Sequence, residues 1–392
     1  MNSHRKNFFD ELKTLFHLVF SAEDYFEDII FYSSQGQYIS NFEGILHALI
    51  TDYGYPITYV TSDPNDPIFD HHHKNITPYY AKTLIPIILP LLEPKIIVMT
   101  MPDIHQYSVK RSFSGTNYVY IFHAIVSTHM IYRKGAFDHY DTILCVGPHH
   151  IEEIRQNEKM NSLKPKALHE VGYSRLEKIF NKYQEFVSKR VDDPSLDKLI
   201  LIAPSWHSSN ILKTCGEELI YELLDGNFTV VVRPHPMTIA NDTVLLQNLQ
   251  QKFSGFENFC LDLETTSEEY FLRADAIVCD WSGIALEYAF GTERPVLFID
   301  LPKKIYNPDY EDLGIDPLEV KVREVIGKVI QPDDIKLVRE ILTDFIAEKE
   351  KYSNQIRDAR ERYIYNFGTS SKIGAEIFTE ILEKNIKGKS KT

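Results

Sequence analysis

Short apolar runs typical of buried strands alternate with segments of helical periodicity, and this alternation occurs in two sets along the chain. Near the start, residues 29–32 and 57–61 are strand-like, and residues 41–51 between them have apolar side chains at helical spacing. Strands that alternate with helices form parallel sheets, because a parallel pair of strands needs a long crossover connection. The pattern therefore predicts an α/β fold with parallel sheets covered by helices.

The two sets predict two domains, residues 1–190 and 191–392, because 392 residues exceed one ordinary core. The charged segment 183–199 is the predicted linker, and the helical segment 335–367 is a candidate to cross back to the first domain. The other predicted elements are strands at 96–100, 118–122, 143–146, 199–203, 229–233, 276–279 and 296–299, a helix after residue 146, and helices at 212–224, 241–253 and 284–290, the last ending at Gly291.

The composition is that of a soluble globular protein, with 43% hydrophobic and 25% charged residues. A net charge of −14 argues against a non-specific nucleic-acid binder. No stretch approaches the ~20 apolar residues of a membrane span, and no signal peptide is recognisable. The four cysteines form no CxxC pair, which favours buried reduced thiols. A cytoplasmic location is the resulting expectation.

The N-terminal segment has apolar residues at helical spacing, among them Phe8, Leu12 and Phe16. Two interpretations remain open, a helix packed on the core and a helix lying on a membrane surface. The basic tail 384–392 is a second candidate for contact with the inner face of a membrane.

Polar residues follow four of the predicted strands, at the points where those strands end. They are His123, the segment Ser205–Trp206–His207, the segment Arg233–Pro234–His235–Pro236, and the segment Asp280–Trp281–Ser282–Gly283. The carboxyl ends of parallel strands form the ligand-binding edge of a sheet. We therefore expect all four places to lie on the ligand side, across a cleft between the two domains.

The RPHP segment suits an anionic ligand, because two prolines stiffen His235 and Arg233 adds positive charge. A rigid strand exit, with His235 bonded to a backbone carbonyl, is equally compatible with this segment. Ser282 lies near the expected N-cap of the helix at 284–290, where free amides and the helix dipole form a phosphate site. A plain helix cap is the alternative there. Glu287 is placed either to reach a ribose hydroxyl or on a solvated helix face.

No metal site and no cofactor are predicted. The consecutive histidines His71, His72 and His73 point in different directions and are expected in an exposed loop. No G-x-S-x-G, G-x-G-x-x-G or G-x-x-x-x-G-K-[ST] motif occurs, so a serine nucleophile, a dinucleotide site and a P-loop are unsupported.

Six segments in order resemble the CDP-glycerol glycerophosphotransferase family of teichoic-acid primases and polymerases. They are YVYIFHAIV, AFDHYDTILCVGPHHIEEI, VGYSRLEKI, LILIAPSWHSSNIL, VVVRPHP and ADAIVCDWSGIALEYAFGTERPVLFID. The resemblance covers residues 110–300 and implies a GT-B architecture with two facing Rossmann-like domains. It also implies transfer of a polyol phosphate, with glycerol phosphate the expected group, from a CDP-linked donor to a hydroxyl, releasing CMP.

The resemblance implies roles for particular residues. His123 matches the family's general base, and His235 with Arg233 would contact the donor phosphates. Ser282 and Gly283 match the pair that would cradle the diphosphate. The remaining residues expected at the donor are Ser205, Trp206, His207, Asp280, Trp281 and Glu287.

Two departures from the family pattern keep other functions open. Ala124 follows His123 where the family usually has glycine, and His207 stands where it usually has arginine. The alternatives are a GT-B glycosyltransferase or UDP-sugar 2-epimerase-like enzyme, and a non-catalytic binding module. The expected partners are a CDP-linked polyol, a polysaccharide or lipid-linked acceptor, and the inner membrane face peripherally, without nucleic acid.

Overall fold

The computed structural model of this protein describes residues 6–20, 28–71, 73–189, 198–264 and 268–389. Its first sheet has seven strands, all parallel, in the order β3-β2-β1-β4-β5-β6-β7. The strands are β1 (Ile29–Ser33), β2 (Ile57–Thr61), β3 (Ile76–Tyr80), β4 (Ile96–Met99), β5 (Asn117–Ile121), β6 (Thr142–Cys145) and β7 (Ala167–Glu170). The chain order reverses between β1 and β4, which is the topological switch point of this sheet.

Among the described residues, five α-helices belong to this part of the chain. They are α1 (Phe8–Leu15), α2 (Ile39–Thr51), α3 (Ile85–Leu91), α4 (Pro148–Met160) and α5 (Ser174–Lys189), with a π-helical segment at Phe16–Phe20 and 3-10 segments at Gly36–Tyr38 and Pro67–Asp70. The centre of the core is aromatic, since the Phe31 ring on β1 contacts the Phe42 ring on α2 with centroids 5.3 Å apart.

The second sheet has six strands, also all parallel, in the order β10-β9-β8-β11-β12-β13. The strands are β8 (Leu199–Ile202), β9 (Thr229–Val232), β10 (Phe259–Leu261), β11 (Ala276–Cys279), β12 (Val296–Ile299) and β13 (Gly327–Ile330). Its switch point lies between β8 and β11. The two all-parallel sheets confirm the predicted α/β class.

The helices that follow are short around the second sheet and long at the C-terminus. They are α6 (Ile211–Thr214), α7 (Gly216–Asp225), α8 (Pro236–Asn241), α9 (Thr243–Phe253), α10 (Glu269–Arg273), α11 (Ile284–Thr292), α12 (Leu318–Lys321), α13 (Val338–Ala347), α14 (Lys349–Tyr363) and α15 (Ser370–Lys389), with 3-10 segments at Tyr310–Leu313 and Pro332–Leu337. None of the described helices is long and apolar enough to cross a membrane.

The chain divides into two compact units that are not continuous in sequence. One comprises residues 1–123, 132–175 and 364–392, and the other comprises residues 124–131 and 176–363. In the first unit, helix α15 packs on the first sheet, where the Phe378 ring contacts Phe31 with centroids 6.0 Å apart. The division into domains 1–190 and 191–392 stays a prediction.

Three local expectations are corrected. The predicted linker begins too early, because residues 183–189 lie within α5, while residues 190–197 lie outside the described residues. Helix α11 continues through Gly291 to Thr292 and ends where Glu293 adopts a left-handed conformation, with φ 56°. Gly291 instead permits close packing, since a Cβ there would lie 2.4 Å from Cγ2 of Ile179.

The third correction concerns the face on which α1 packs. Phe8, Leu12 and Phe16 are exposed, so the interpretation of this apolar face as packed on the core is wrong. The helix is held through its polar face, where Glu11 accepts the amide of Leu84 at 2.8 Å and the Thr14 hydroxyl donates to the Tyr80 carbonyl at 2.7 Å. An apolar stripe therefore remains on the outside of this unit.

Candidate active site

His123 lies two residues beyond the end of β5, among tyrosine side chains of its own unit. Its ring centroid is 5.2 Å from that of Tyr38 and 5.9 Å from that of Tyr132. Its Nδ1 is 3.5 Å from the hydroxyl of Tyr120, whose pKa is raised well above its ordinary value because the side chain is fully buried. Burial raises the pKa of Tyr38 as well, so Tyr38 and Tyr120 place the imidazole without adding charge.

In the second unit, Asp280 joins two loops that flank the switch point. Its carboxylate, on the loop after β11, accepts the amide of Ser205 at 2.7 Å and the amide of Ile211 at 3.3 Å. The side chain is only 2% exposed, and burial raises its pKa in spite of these hydrogen bonds. Asp280 and Ser205 are thus parts of the loop framework.

Trp206 and His207 project from the loop that this framework holds. Trp206 is 36% exposed, and its ring centroid lies 6.2 Å from those of His235 and Tyr306. Nδ1 of His207 accepts the amide of Ser209 at 3.4 Å. Trp206 therefore presents a partly open aromatic surface at the carboxyl edge of the sheet.

His235 has a fixed tautomer. It caps the N-terminus of α8, where its Nδ1 accepts the amide of Met237 at 3.1 Å. The proton of the neutral ring is therefore on Nε2. Burial, together with the charge of Lys304, lowers the pKa of His235 to about 4. At neutral pH the residue is an uncharged hydrogen-bond donor through Nε2.

Arg233 is buried and its charge is balanced locally. Its guanidinium makes an ion pair with Asp262, in which Nε donates to Oδ2 at 2.6 Å. The pair closes the exit of β9 beside β10. A charge already paired in this way adds little attraction for a second anion.

Ser282 is not the N-cap of α11. The N-cap is Gly283, which has helical dihedrals of φ −61° and ψ −22°, and no side chain caps this helix. The reason is that the first turn already closes through the Ser282 carbonyl, which accepts the amide of Ala285 at 3.2 Å. The Ser282 hydroxyl makes no hydrogen bond within the part of the chain that the structure describes. That hydroxyl and the amides of Gly283 and Ile284, which precede the bonded amide of Ala285, are consequently available to an anion.

Trp281 is buried beneath this turn. Its Nε1 donates to the Leu301 carbonyl at 2.6 Å, and the Arg323 guanidinium lies 4.0 Å from its ring centroid. Arg323 in turn donates to Asp300 at 2.8 Å. A small cavity beside Ser282 and Gly283 is lined by this tryptophan and arginine. Trp281 therefore supports the turn from within the unit.

Glu287 is buried as well, at 8% exposure, so the interpretation as a solvated helix face is wrong. Sequence reasoning missed Lys304 and Tyr306, which lie on the loop after β12. The Lys304 ammonium is 5.7 Å from the Trp206 ring centroid and 5.4 Å from that of Tyr306. In the sequence, the only indication of this contact was a pair of lysines just past a strand end. The Trp206 ring is distant in sequence, so the contact cannot be predicted from the local sequence.

Among the described residues, no group of three His, Cys, Asp or Glu side chains could hold a metal ion. His71 and His73 are exposed, and His72 lies outside the described residues. All four cysteines are free thiols, as predicted, and Cys145, Cys215 and Cys279 are buried.

Comparison of the sequence with known families gives a match over residues 15–378. The matching family is described as CDP-Glycerol:Poly(glycerophosphate) glycerophosphotransferase. The chain belongs to this family. Membership confirms the suspected resemblance and the predicted enzyme class, a transferase that moves glycerol phosphate from a CDP-linked donor. No curated protein matches this sequence significantly.

Solved structures of low sequence identity share the fold. Two structures of the wall teichoic acid polymerase TagF match, one with CDPG at TM-score 0.61 and 18% identity over 96% of this chain and 94% of that chain. The other has TM-score 0.57 and 17% identity, over 91% of this chain and 89% of that one. A UDP-GlcNAc 2-epimerase from Neisseria meningitidis matches at TM-score 0.55 and 14% identity, over 91% and 99%. These likenesses confirm the predicted GT-B type of fold.

Proposed function

We propose that this chain transfers glycerol phosphate from CDP-glycerol to a hydroxyl of a teichoic-acid chain or its lipid-linked precursor. The observation that carries the proposal is the turn Ser282–Gly283, which presents a free hydroxyl and helix-terminal amides beside the switch point. That arrangement binds a diphosphate without a metal ligand from the protein. The acceptor class is suggested by TagF, whose structure is titled as that of a wall teichoic acid polymerase.

On the donor side, the residues that contact the nucleotide diphosphate are Ser282, Gly283, His235 and Trp206. Nε2–H of His235 donates a neutral hydrogen bond to a phosphate oxygen, and the amides of the α11 turn supply further donors. Asp280, Ser205 and Trp281 act as positioning residues, because their polar atoms bond to the protein framework. Arg233 positions the exit of β9, and His207 lies on the loop held by Asp280. Glu287 keeps its predicted role, a hydrogen bond to a ribose hydroxyl of the donor.

On the acceptor side, His123 is the general base. The acceptor oxygen forms a bond to the β-phosphorus of CDP-glycerol, the bond from that phosphorus to the bridging oxygen breaks, and CMP leaves with that electron pair. The hydroxyl proton passes to the imidazole ring of His123. The neighbouring Tyr38 and Tyr120 are neutral, since burial raises the pKa of both, so they leave the proton transfer to the imidazole. Positioning and charge stabilisation supply most of the catalysis in such phosphoryl transfers.

The test is CMP release from CDP-glycerol, with CDP-ribitol and UDP-GlcNAc as competing donors and a glycerol-phosphate oligomer as acceptor. His123→Ala should lower kcat by roughly 100- to 10,000-fold, which is the contribution of a positioned general base. Its affinity for CDP should be unchanged. His47→Ala, at an exposed position on α2, is the matched control and should retain wild-type turnover.

Three outcomes count against the proposal. If UDP-GlcNAc is the only donor turned over, the chain catalyses a sugar-nucleotide reaction instead. CDP binding without turnover of either polyol donor would favour a binding module. Equal activity of the His123→Ala variant and wild type would remove His123 as the base.

We also propose that the enzyme attaches peripherally to a membrane through α1 and the following π-helical segment. Phe9, Phe16 and Phe20 are exposed there, with Phe9 at 73%, and Ile87 and Leu91 of the neighbouring α3 are exposed too. An apolar stripe of this kind inserts at the lipid headgroup boundary. The predicted basic tail lies largely outside the residues whose side chains the structure describes.

Co-sedimentation with vesicles containing anionic lipid tests this attachment. The double variant Phe9→Ser/Phe16→Ser should bind vesicles at least tenfold more weakly, since each phenylalanine buried in the lipid contributes about 1.5–3 kcal/mol. Serine at Phe113, which is also exposed but lies outside α1, is the comparison variant. Full binding by the Phe9/Phe16 variant would contradict the proposed surface.

A further inference from the structure

Lys304 lies on the loop after β12 and reaches the carboxyl edge of the second sheet. Its ammonium lies within 6 Å of the ring centroids of Trp206, on the loop after β8, and Tyr306, on its own loop. Its charge also acts on His235, which caps the helix after β9. Lys304 is therefore near donor-side groups from two other strand ends.

The neighbouring cations of this edge are already paired. Arg233 forms its ion pair with Asp262 at 2.6 Å, and Arg323 forms one with Asp300 at 2.8 Å. The adjacent Lys303 donates to the hydroxyl of Tyr310 at 3.2 Å. Lys304 differs from both arginines, because no carboxylate of the described residues lies within 4.0 Å of its ammonium.

The surroundings of Lys304 penalise its charge. Burial lowers the pKa of Lys304, and the more distant carboxylates of Asp280 and Glu319 only partly offset this. Glu319 is itself engaged, since it accepts the amide and the hydroxyl of Ser127 at 2.9 and 2.8 Å. A partly desolvated cation without a close counter-ion is stabilised strongly by an incoming anion.

We propose that Lys304 is the cation that binds the phosphates of the nucleotide donor, and that the rings of Trp206 and Tyr306 hold its ammonium in place. The inference rests on the proposed function for the identity of the donor, since the structure itself specifies only an anion. It moves the cationic role from Arg233, where the sequence pattern put it, to a residue on a different loop. At neutral pH Lys304 acts as the cationic partner for phosphate charge, alongside the neutral donor His235.

Isothermal titration of CDP, UDP and inorganic pyrophosphate against the full chain tests this assignment. Lys304→Met should weaken CDP and pyrophosphate binding roughly 10- to 100-fold, the usual loss for one charge-assisted hydrogen bond. Lys303→Met is the matched control, because it removes the same charge from the neighbouring residue. It should change both affinities less than about threefold, the size of an exposed charge effect.

A pH series keeps the test valid if the methionine variant folds poorly. Wild-type affinity for CDP should fall as the pH is raised towards the ordinary pKa of lysine, because burial lowers the pKa of Lys304 and the residue loses its proton early. Lys304→Arg keeps its charge over this range and should keep its affinity. Asp280, Glu319, His235 and Tyr306 face this ammonium and are common to both proteins, so the difference reports the residue at 304.

The outcomes separate this inference from the proposed function. If wild type binds CDP and Lys304→Met binds it equally well, the inference fails while the function stands. If wild type prefers UDP but Lys304→Met loses pyrophosphate affinity, the phosphate site stands and the donor assignment fails. A wild-type protein that binds none of the three anions overturns the inference.

Discussion

Asp280→Ala tests whether one buried carboxylate holds the donor-side loop in place. The substitution leaves the amides of Ser205 and Ile211, bonded at 2.7 and 3.3 Å, without their acceptor. Each hydrogen bond to a charged group contributes about 1.5–3 kcal/mol, so the gross loss is about 3–6 kcal/mol. Burial of the carboxylate opposes part of this, as its raised pKa indicates. We expect a net loss of about 2–5 kcal/mol of unfolding free energy.

Urea unfolding and CDP titration together form the assay. The bonds to Asp280 also hold the loop on which Trp206 lies. The Asp280→Ala variant should therefore lose CDP affinity by more than about tenfold under conditions where it is fully folded. Asp275→Ala is the control, since Asp275 accepts the amide of Leu199 at 3.0 Å at the opposite edge of the same sheet. It should lower stability by about 1–3 kcal/mol and leave CDP affinity unchanged. A stable Asp280→Ala protein, or one that binds CDP normally, would refute the reasoning.

Three further predictions concern packing, charge and pH. Gly291→Ala should cost about 1–3 kcal/mol, because its Cβ would lie 2.4 Å from Cγ2 of Ile179; urea unfolding measures this, and Ile179→Ala in the same chain should recover part of it. Arg360→Met removes a buried guanidinium that donates to the Phe290 carbonyl and to the Glu293 carboxylate, each at 2.8 Å, and should cost about 3–5 kcal/mol of unfolding free energy. Arg357→Met removes an exposed guanidinium from the same carboxylate and should cost under about 1 kcal/mol by the same assay. The pKa of His235 is lowered to about 4 in the folded protein, whereas it is ~6.5 in the unfolded chain. Its contribution to the unfolding free energy is therefore complete above pH ~6.5 and declines as the pH falls towards 4. The His235→Gln variant should lose less unfolding free energy over that pH range.

The interior strands of both sheets were predictable from sequence, and the edge strands were not. The missed strands are β3, β7, β10 and β13, and each of them lies at an edge of its sheet. Interior strands are covered on both faces and read as continuous apolar runs, as in Leu199–Ile202. Edge strands are partly exposed and carry mixed residues, as in the ITPYY of Ile76–Tyr80, so their runs do not stand out.

The edge of each sheet at which these polar residues lie was also predictable, because chain direction puts every strand end of a parallel sheet on one edge. The bonding partner of each polar side chain at that edge was not predictable. Arg233 and Asp280 looked like ligand residues, yet they bond to Asp262 and to backbone amides of another loop. Lys304 was not singled out by the sequence, yet it lies near Trp206.

By itself, the sequence determined the class of fold, the sheet edge at which the polar segments lie and the family, since these follow from periodicity and from motifs in order along the chain. The tertiary structure decided which charges are already paired. An ion pair or a cation–ring contact depends on residues that are distant in sequence, and their separation in space is set only when the sheets and loops are packed. For this reason Arg233 emerges as part of the framework, and Lys304 is the cation that we propose for the donor phosphates.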